Sequence, residues 1–390
     1  MNKVIIIGGF HHNTYGLIRS LGETGLKSDV ILEPSHIRVN WLFASKYIKK
    51  AHILSDGENL VDYLLTTYSD EEEKPVVYCG SDNSISLLDN AYNLLKEKFF
   101  IFNADGKQGR INYFMNKESM FPLAEKCGLT TIKTWHLKRN EIEKANLHYP
   151  ILVKPSNSLG GVKTDIKVSY NQKELLENMH DGVDYILQEF IDKDYELNML
   201  GLSLKTGNSI FYPGVIKKLR EYPIKKGSSS FARIDALNEY PIFNIDGIKK
   251  FVHMIGYEGL FSIEFVVKGN TCYFLEINMR NDGNGYMSTG AGLNLPLIWY
   301  RYCCGIADNS HSLHLEKPFY FMSEETDYKQ VTTGHLSISK WIKSLFMTDA
   351  FFIINKKDIK PGLMFLALEF VRMIKHFIKK ISNIPILQDI

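Results

Sequence analysis

A chain of 390 residues is too long for one small hydrophobic core, so two or three domains are expected. The formal net charge of +2 excludes a globally basic nucleic-acid-binding protein, and any basic patch must be local. Five cysteines without a Cys-x-x-Cys pair, and the lack of any apolar run of about 18 residues, predict a cytoplasmic protein without disulfides, export signal or membrane span.

The first hundred residues predict a Rossmann-like parallel α/β domain. Residues 4–7 form an apolar run that is followed by Gly8-Gly9 and by helical spacing, and further strands are predicted at 29–32 and 76–79. The third glycine of the dinucleotide fingerprint is missing, so NAD binding is not expected. Ligands of open α/β sheets bind beyond the carboxyl ends of the strands, where the polar candidates are His11, His12, Asn13, Ser81 and Asp82. Helix capping is an equally good interpretation of each.

From about residue 112 the pattern changes to that of a second domain. A charged amphipathic helix contains Lys117, and strands are predicted at 132–137 and 149–154. The second strand ends at Lys154, and after Pro155 comes a small-residue loop whose candidate phosphate-binding residues are Ser156, Gly160 and Gly161. Successive backbone N–H groups of such a loop can point at one anion, and a neighbouring lysine can bring charge to the same phosphates. The alternative is an ordinary turn.

Three more strands and a basic segment are predicted next. A short strand covers residues 185–191, and strands at 197–204 and 209–217 form a predicted hairpin. Residues 217–234 are polar, basic and rich in serine, which predicts a long loop. A loop of this length is either disordered or functional, and its cations could hold an anionic substrate.

A hairpin predicted over residues 259–280 carries the strongest chemical signal. Two runs rich in β-branched and aromatic residues flank Lys268-Gly269-Asn270, and this turn brings Glu264 close to Glu276 and Asn278. Two facing carboxylates among apolar residues repel each other and require a cation. Oxygen ligands without Cys or His favour Mg²⁺, with Mn²⁺ as an alternative. Two strand-end carboxylates that face solvent are the competing interpretation.

Together and in this order, these motifs resemble the ATP-grasp superfamily over approximately residues 1–305. The family's usual Glu-Ile-Asn-Pro-Arg is here Glu-Ile-Asn-Met-Arg, with Met279 in place of proline. The resemblance implies an α/β fold with a Rossmann-like N-terminal domain (residues 1–111), a two-lobed ATP-grasp domain (112–308) and a helical C-terminal extension (309–390).

The resemblance also implies roles for individual residues. ATP phosphates would be held by Lys117 and Lys154, together with the loop of Ser156, Gly160 and Gly161. Adenine would be held by Gln188, Glu189, Phe190 and Ile191. Glu196 would bind the ribose, with Asp194 as its substitute because the spacing departs from the family pattern. Glu264, Glu276 and Asn278 would coordinate Mg²⁺, and Arg280 would contact the transferred phosphoryl group.

The function that this resemblance implies is ATP-dependent ligation of a carboxylate to an amine through an acyl phosphate. No Ser/His/Asp or Cys/His signature suggests a covalent enzyme intermediate. A looser likeness to carbamoyl-phosphate-synthase-like and D-aspartate-ligase-like proteins suggests cell-envelope or surface-polysaccharide assembly. In that case Lys218 and Arg220 would close over substrate carboxylates, with Arg233 a weaker candidate. The rival functions are a regulatory nucleotide-binding protein at the membrane and a nicotinamide oxidoreductase.

The C-terminal tail predicts a basic amphipathic helix over about residues 361–381. Its charged residues recur every three or four positions and form one stripe, whereas Leu, Met, Phe and Ile occupy the rest. Such a helix can lie at the inner face of a membrane, which would suit a lipid-linked acceptor. Alternatively, it packs against the catalytic body or a second subunit in a homodimer.

Overall fold

A computed structural model of the chain describes residues 1–35, 40–155, 167–224, 227–307, 315 and 317–382. The strands in these ranges are β1 (Val4–Gly8), β2 (Ser28–Leu32), β3 (Ile48–Ile53), β4 (Val76–Cys79), β5 (Asn103–Ala104), β6 (Thr130–Thr131), β7 (Thr134–Lys138), β8 (Ile151–Pro155), β9 (Lys167–Ser169), β10 (Asp184–Glu189), β11 (Tyr195–Leu204), β12 (Ser209–Phe211), β13 (Val215–Tyr222), β14 (Ser228–Asp235), β15 (Tyr257–Lys268), β16 (Thr271–Asn278), β17 (Phe319–Met322) and β18 (Ala350–Phe351). The α-helices are α1 (His12–Gly22), α2 (Leu60–Tyr68), α3 (Asp82–Asn90), α4 (Tyr92–Leu95), α5 (Arg110–Met115), α6 (Lys117–Lys126), α7 (Gln172–Asn178), α8 (Ile245–Ile255), α9 (Gly285–Gly290), α10 (Leu295–Cys303), α11 (Glu324–Thr332), α12 (Ile338–Met347) and α13 (Ile359–Ser382).

The N-terminal domain is a parallel sheet with strand order β3-β2-β1-β4. Ile5, Ile6 and Ile7 of β1 are fully buried, as expected for a central parallel strand covered on both faces. The strands predicted from the apolar runs are therefore confirmed. Two helices, α3 and α4, follow β4 and are separated at Ala91.

A small antiparallel sheet forms a separate lobe. Its strand order is β7-β10-β8-β9, and α7 covers it. The lobe has its own apolar core, which includes Ile151, Val153, Leu175 and Leu187. Lys154, at the end of β8, pairs with Ile186 of β10, so this small lobe carries one of the candidate phosphate-binding lysines.

The large sheet has the strand order β18-β17-β14-β13-β11-β15-β16-β6, and β12 and β5 pair with β11 and β15. Phe261, Ile263 and Phe265 of β15 lie in its core together with Phe274 of β16. The predicted turn is confirmed, since β15 ends at Lys268 and β16 begins at Thr271. Gly269 has φ 56°, a left-handed conformation that glycine adopts without strain.

The prediction of a long basic loop over residues 217–234 was wrong. The segment forms a β-hairpin in which β13 pairs with β14, with a register shift around Arg220. The strand predicted at 209–217 is correspondingly divided into β12 and β13 by Pro213, which lacks a backbone N–H, and Gly214, whose φ is 138°. Lys218 and Arg220 of β13 are paired with the carboxylates of Glu196 and Asp327, and such pairing is invisible in a local pattern.

The segment after residue 308 begins as part of the body. β17 pairs with β14 and with β18, so both strands extend the large sheet. The buried Arg19 of α1 donates hydrogen bonds to the carbonyl oxygens of Phe351 at 3.0 Å and Phe352 at 2.8 Å. Buried Asp358 accepts a hydrogen bond from the Tyr15 hydroxyl at 3.2 Å. In the part of the chain that the structure describes, α13 and the other helices are too short or too polar to cross a membrane.

Candidate active site

A cleft of about 560 Å³ lies between the N-terminal domain and the large sheet. One wall is formed by residues at the carboxyl ends of β1, β2 and β4, where ligands of open α/β sheets bind. The opposite wall is formed by β11, β13, β15, β16 and the segment after β16. The charged residues that line the whole cleft are Glu33, Asp82, Glu196, Lys218, Glu264, Glu276, Arg280 and Asp282.

The acids of the β15–β16 hairpin face each other as the sequence predicted. Glu264 is the register partner of Glu276, and the amide Nδ2 of Asn278 lies 3.3 Å from Glu264 Oε1. Burial raises the pKa of the Glu264 carboxyl, and the negative charge of Glu276 raises it further. The described residues contain no cluster of three His, Cys, Asp or Glu side chains that could hold a metal. Two carboxylates and an amide nevertheless fit Mg²⁺, which fills its remaining positions with water and phosphate oxygens.

Two lysines approach the same acids from the other side. Lys117 Nζ, at the start of α6, lies 3.3 Å from Glu276 Oε2. Burial lowers the pKa of Lys154 to about 8, and the positive charge of Lys117 contributes, whereas Glu276 opposes the shift. Two neighbouring ammonium groups repel each other, and an anion between them would relieve that repulsion. Lys117, Lys154 and Glu276 therefore meet at one point between the small lobe and the large sheet.

The predicted adenine strand is held within the small lobe. The Gln188 side chain donates a hydrogen bond to Thr134 Oγ1 at 3.0 Å. The backbone N–H groups of Glu189 and Phe190 donate to carbonyl oxygens of residues 133 and 150, at 3.0 Å each. The backbone N–H of Ile191 has no hydrogen bond to any residue within the described ranges. Of these predicted adenine contacts, the Ile191 amide is thus the donor that remains available. Ser156, Gly160 and Gly161 lie outside the described residues.

Glu196 lies in the cleft within a network of alternating charges. It contacts both Lys193 and Lys218, which also approach Glu221 at 3.6 and 3.2 Å. Burial alone would raise the pKa of Glu196. The positive charge of Lys218 and hydrogen bonds from both lysines outweigh burial, so the pKa is lowered. The structure does not support Asp194 as a substitute for Glu196, because Asp194 accepts a hydrogen bond from Gly269 N at 2.8 Å on the hairpin turn.

Arg280 joins the two walls of the cleft. Its Nε lies 2.6 Å from Asp82 Oδ1, and its Nη2 lies 3.4 Å from Asn278 Oδ1. The guanidinium therefore stands beside the paired acids and is oriented by a carboxylate of the N-terminal domain. Its predicted contact with a transferred phosphoryl group stays a prediction.

Of the two residues predicted to close over substrate carboxylates, Lys218 and Arg220, the first lies at the cleft and the second is held by another residue. Lys218 lines the cleft. Arg220 instead forms two hydrogen bonds with the buried Asp327, at 2.9 and 2.7 Å, and lies over the Phe231 ring. Arg233 is likewise held, since its Nε lies 2.9 Å from Asp235. Arg220 thus joins β13 to α11, and its predicted closure over a substrate carboxylate stays a prediction.

Helix capping is confirmed for two of the rim residues. His11 Nδ1 accepts the Asn13 N–H at 3.2 Å, and Ser81 Oγ accepts the Ser84 N–H at 3.0 Å. Both caps also line the cleft. Burial lowers the pKa of His11, and the charge of Arg280 lowers it further, so the imidazole is neutral and carries its proton on Nε2.

Two acidic residues that were not predicted from the sequence, Glu33 and Asp282, also line the cleft. Asp282 accepts hydrogen bonds from Ser262 Oγ and from the backbone N–H of Asn284, each at 2.8 Å. Glu33 directly follows β2, so the rule that placed Ser81 at the rim could have found it as well. Asp282 had no such signal, because its position depends on the path of the chain after β16.

Residues 122–293 match the family model of the ATP-grasp domain. The chain contains an ATP-grasp domain. The carbamoyl phosphate synthase large chain of Clostridium beijerinckii is 23% identical over 309 residues, which cover 71% of this chain and 27% of that protein. The chain therefore spans about a quarter of the length of this relative.

Solved structures show the same fold. The biotin carboxylase domain of Hydrogenobacter thermophilus 2-oxoglutarate carboxylase, in complex with MgADP, ADP and bicarbonate, has a TM-score of 0.63 at 17% identity, covering 82% of this chain and 74% of that chain. The L-amino acid ligase from Bacillus licheniformis has a TM-score of 0.63 at 15% identity, covering 82% and 79%. The α/β fold class predicted for the ATP-grasp domain and its Rossmann-like N-terminal neighbour is thereby confirmed.

Proposed function

We propose that this chain is an ATP- and Mg²⁺-dependent ligase that joins a carboxylate to an amine and releases ADP. The observation that carries the proposal is the meeting of acidic and basic side chains at one cleft. Glu264 and Glu276 line the cleft together with Arg280, and Glu276 also contacts Lys117, which neighbours Lys154. Acids for a cation and bases for phosphate oxygens are what phosphoryl transfer requires of a protein.

The residues present fit a nucleotide with its metal. Glu264, Glu276 and Asn278 would hold Mg²⁺, because the repulsion that raises the pKa of Glu264 falls when a cation lies between the carboxylates. Lys117 and Lys154 would bind the phosphates, and the Ile191 N–H and Glu196 would bind the adenosine. The related biotin carboxylase domain was solved with MgADP, which supports the same pair of ligands here. Bound Mg²⁺ supplies neutralisation of charge on the phosphate oxygens.

The carboxylate substrate needs activation because its leaving group would be an oxide ion. Phosphorylation gives an acyl phosphate, whose phosphate can leave when an amine attacks the carbonyl carbon. Arg280 would stabilise the negative charge of the transferred group, and the salt bridge to Asp82 fixes its orientation. No side chain of this chain has to act as a nucleophile, and we assign none.

Glu33 is our candidate for holding the amine. One of its carboxylate oxygens accepts hydrogen bonds from the side chains of Ser81 and Asn83, while the other accepts none from the described part of the chain. Glu264 belongs to the proposed metal site, and the other acids of the cleft contact cations or accept several hydrogen bonds, as Asp82 does from Arg280 and Asp282 from Ser262 and Asn284. An amine that enters at the N-terminal wall would therefore find an available carboxylate at Glu33.

The setting of the reaction is part of the same proposal. The likeness to D-aspartate-ligase-like proteins supports a role in cell-envelope or surface-polysaccharide assembly, with a lipid-linked acceptor. We infer a cytoplasmic enzyme that contacts the inner face of a membrane, and a homodimer is the form to test first.

A ligation screen tests the function. Pools of carboxylates are combined with pools of amines and ATP-Mg²⁺, ADP release is recorded, and products are identified by mass spectrometry. We expect ADP release that depends on both substrates and a product with the mass of their amide. Saturable ATP binding without any amine-dependent ADP release would contradict the ligase and favour a regulatory nucleotide-binding protein. Binding of NAD(H) but not ATP would favour an oxidoreductase.

A further inference from the structure

The start of α13 is covered by the body on one side only. Phe365 is 5% exposed, and together with Pro361 and Gly362 it packs the start of the helix onto the body, next to the turn Trp41–Ala44. On the other side, Leu363, Leu366, Phe370 and Ile374 are exposed by 61, 52, 64 and 43%. The helix is therefore attached to the protein along one side and presents large apolar groups on the other.

The exposed residues form one continuous stripe. Leu363, Leu366, Phe370 and Ile374 are three or four positions apart, so they lie along one side of the helix. Val371, 45% exposed, widens this stripe. Large apolar stripes on soluble proteins mark interaction surfaces, because leaving them in water is unfavourable. We call this stripe the α13 apolar face.

The charges of α13 indicate what covers that face. The helix contains five lysine and arginine residues and one acid, Glu369, which contacts Arg372. Two copies of such a helix would repel each other, whereas a surface of anionic lipid would attract each copy. Positions flanking a coiled-coil seam are usually charged, whereas Val371 widens this apolar face, which suits a broad apolar contact.

We propose that α13 lies in the interface of a membrane that contains anionic lipids, with the α13 apolar face toward the acyl chains. The helix is not a membrane span, since α13 is too polar for one. The helix that precedes it in the sequence, α12, also has exposed apolar residues, which are Phe346 at 88%, Ile338 at 61% and Ile342 at 44%. The proposal is independent of the ligase activity, because it depends only on α13 and the lipid.

Point substitutions test the proposal better than a truncation. A chain that ends before α13 loses Pro361, Gly362 and Phe365, which are buried against the body. The variant replaces Leu366, Phe370 and Ile374 by serine, all of which are exposed, so the fold should be kept. The matched control replaces Leu87, Leu94 and Tyr113 by serine, which are 40, 59 and 59% exposed and lie elsewhere on the surface.

The measurement is co-sedimentation of the full-length protein with vesicles. One set contains phosphatidylcholine and phosphatidylglycerol in equal amounts, and the other contains phosphatidylcholine alone. We expect the wild type and the control variant to bind the anionic vesicles, less tightly at high salt, and the α13 variant to lose at least about tenfold in partitioning. Thermal unfolding followed by circular dichroism verifies that all three proteins are folded.

Three outcomes would overturn the proposal. The first is a folded wild type that stays in the supernatant with both kinds of vesicle. The second is equal sedimentation of the wild type and the α13 variant. The third is a variant that changes from dimer to monomer in sedimentation velocity without any change in vesicle binding, which would assign the α13 apolar face to a second copy of the chain.

Discussion

Two hairpins of the large sheet carry charged residues and use them in opposite ways. In the β15–β16 hairpin, Glu264 and Glu276 face each other, and burial and mutual repulsion raise the pKa of Glu264. In the β13–β14 hairpin, Arg220 faces the buried Asp327, and Lys218 contacts Glu196. Like charges that are held together favour the binding of a ligand, whereas the charge of Arg220 is already compensated by its buried partner.

This difference between the two hairpins bears on the prediction that Arg220 closes over a substrate, because the Arg220 side chain is not a free cation. The basic composition of residues 217–234 suggested free cations, but Arg220 was already paired with a residue more than a hundred positions away. Composition counts charges and cannot show which of them are satisfied. The following predictions test this distinction between ligand-binding and structural charges, beginning with the largest effect.

The first prediction concerns Glu276→Gln, which removes one of the two facing charges. We expect ADP release to fall by about 10³-fold, because the cation and the phosphate oxygens lose a carboxylate ligand. The stability should not fall, since the substitution also removes repulsion on Glu264. Steady-state ADP release and thermal unfolding without nucleotide measure the two effects. Turnover like that of the wild type would exclude Glu276 from the reaction.

The second prediction concerns Arg220→Ala, which removes the partner of the buried Asp327. An uncompensated buried carboxylate should lower the free energy of unfolding by about 3 kcal/mol. Urea unfolding measures this loss. Turnover of the folded fraction should remain close to that of the wild type.

The matched control for this prediction is Lys218→Ala on the same strand. Its acid partners Glu196 and Glu221 remain paired with Lys193, so the free energy of unfolding should fall by less than about 1 kcal/mol. Equal destabilisation by the two substitutions would contradict the structural role of Arg220.

The third prediction concerns Glu33→Gln, which keeps the size of the side chain but removes its charge. We expect the KM for the amine to rise about tenfold, while the KM values for ATP and for the carboxylate stay unchanged. Initial rates with each substrate varied in turn measure the three constants. Asn83→Ala is the control, because Asn83 contacts the other carboxylate oxygen at 3.4 Å and should have little effect. An increase confined to the KM for the carboxylate would reassign this wall of the cleft.

The smallest effect is expected for Asp194→Ala. Asp194 lies on the hairpin turn and contacts Gly269 and Lys268, so the KM for ATP should not change. Glu196→Ala, two positions away, should raise the KM for ATP about tenfold because Glu196 lines the cleft. ATP titrations of initial rate compare the two variants. If Asp194→Ala raised the KM for ATP more than Glu196→Ala, Asp194 would be the residue that contacts the nucleotide.

Most strands and helices could be predicted because their signals are local. The apolar run before Gly8 predicted β1, and the turn at Gly269 predicted both the hairpin and the register that pairs Glu264 with Glu276. The β13–β14 hairpin could not be predicted in this way, since its pattern of cations hides the alternation of a strand. Its cations are compatible with a strand because Asp327, Glu196 and Glu221 compensate them.

The candidate site was predictable where it follows strand ends and incomplete where it depends on assembly. Lys154, Ser81 and Asp82 follow or end predicted strands, so their places could be inferred. The contact between Arg280 and Asp82 joins residues 198 positions apart, and Asp282 enters the cleft through the path of the chain after β16. No local pattern encodes such distances.

The sequence by itself determined the strands, their turns and the pairing of two acids, because backbone conformation and apolar periodicity act over a few residues. Only the tertiary structure decided which charges are compensated, since compensation depends on side chains that approach each other from distant parts of the chain. It also decided which apolar residues of α13 are covered, because Phe365 is buried against the body whereas Leu366 and Phe370 are exposed. In the sequence these residues are similarly apolar, and contact with the body distinguishes them.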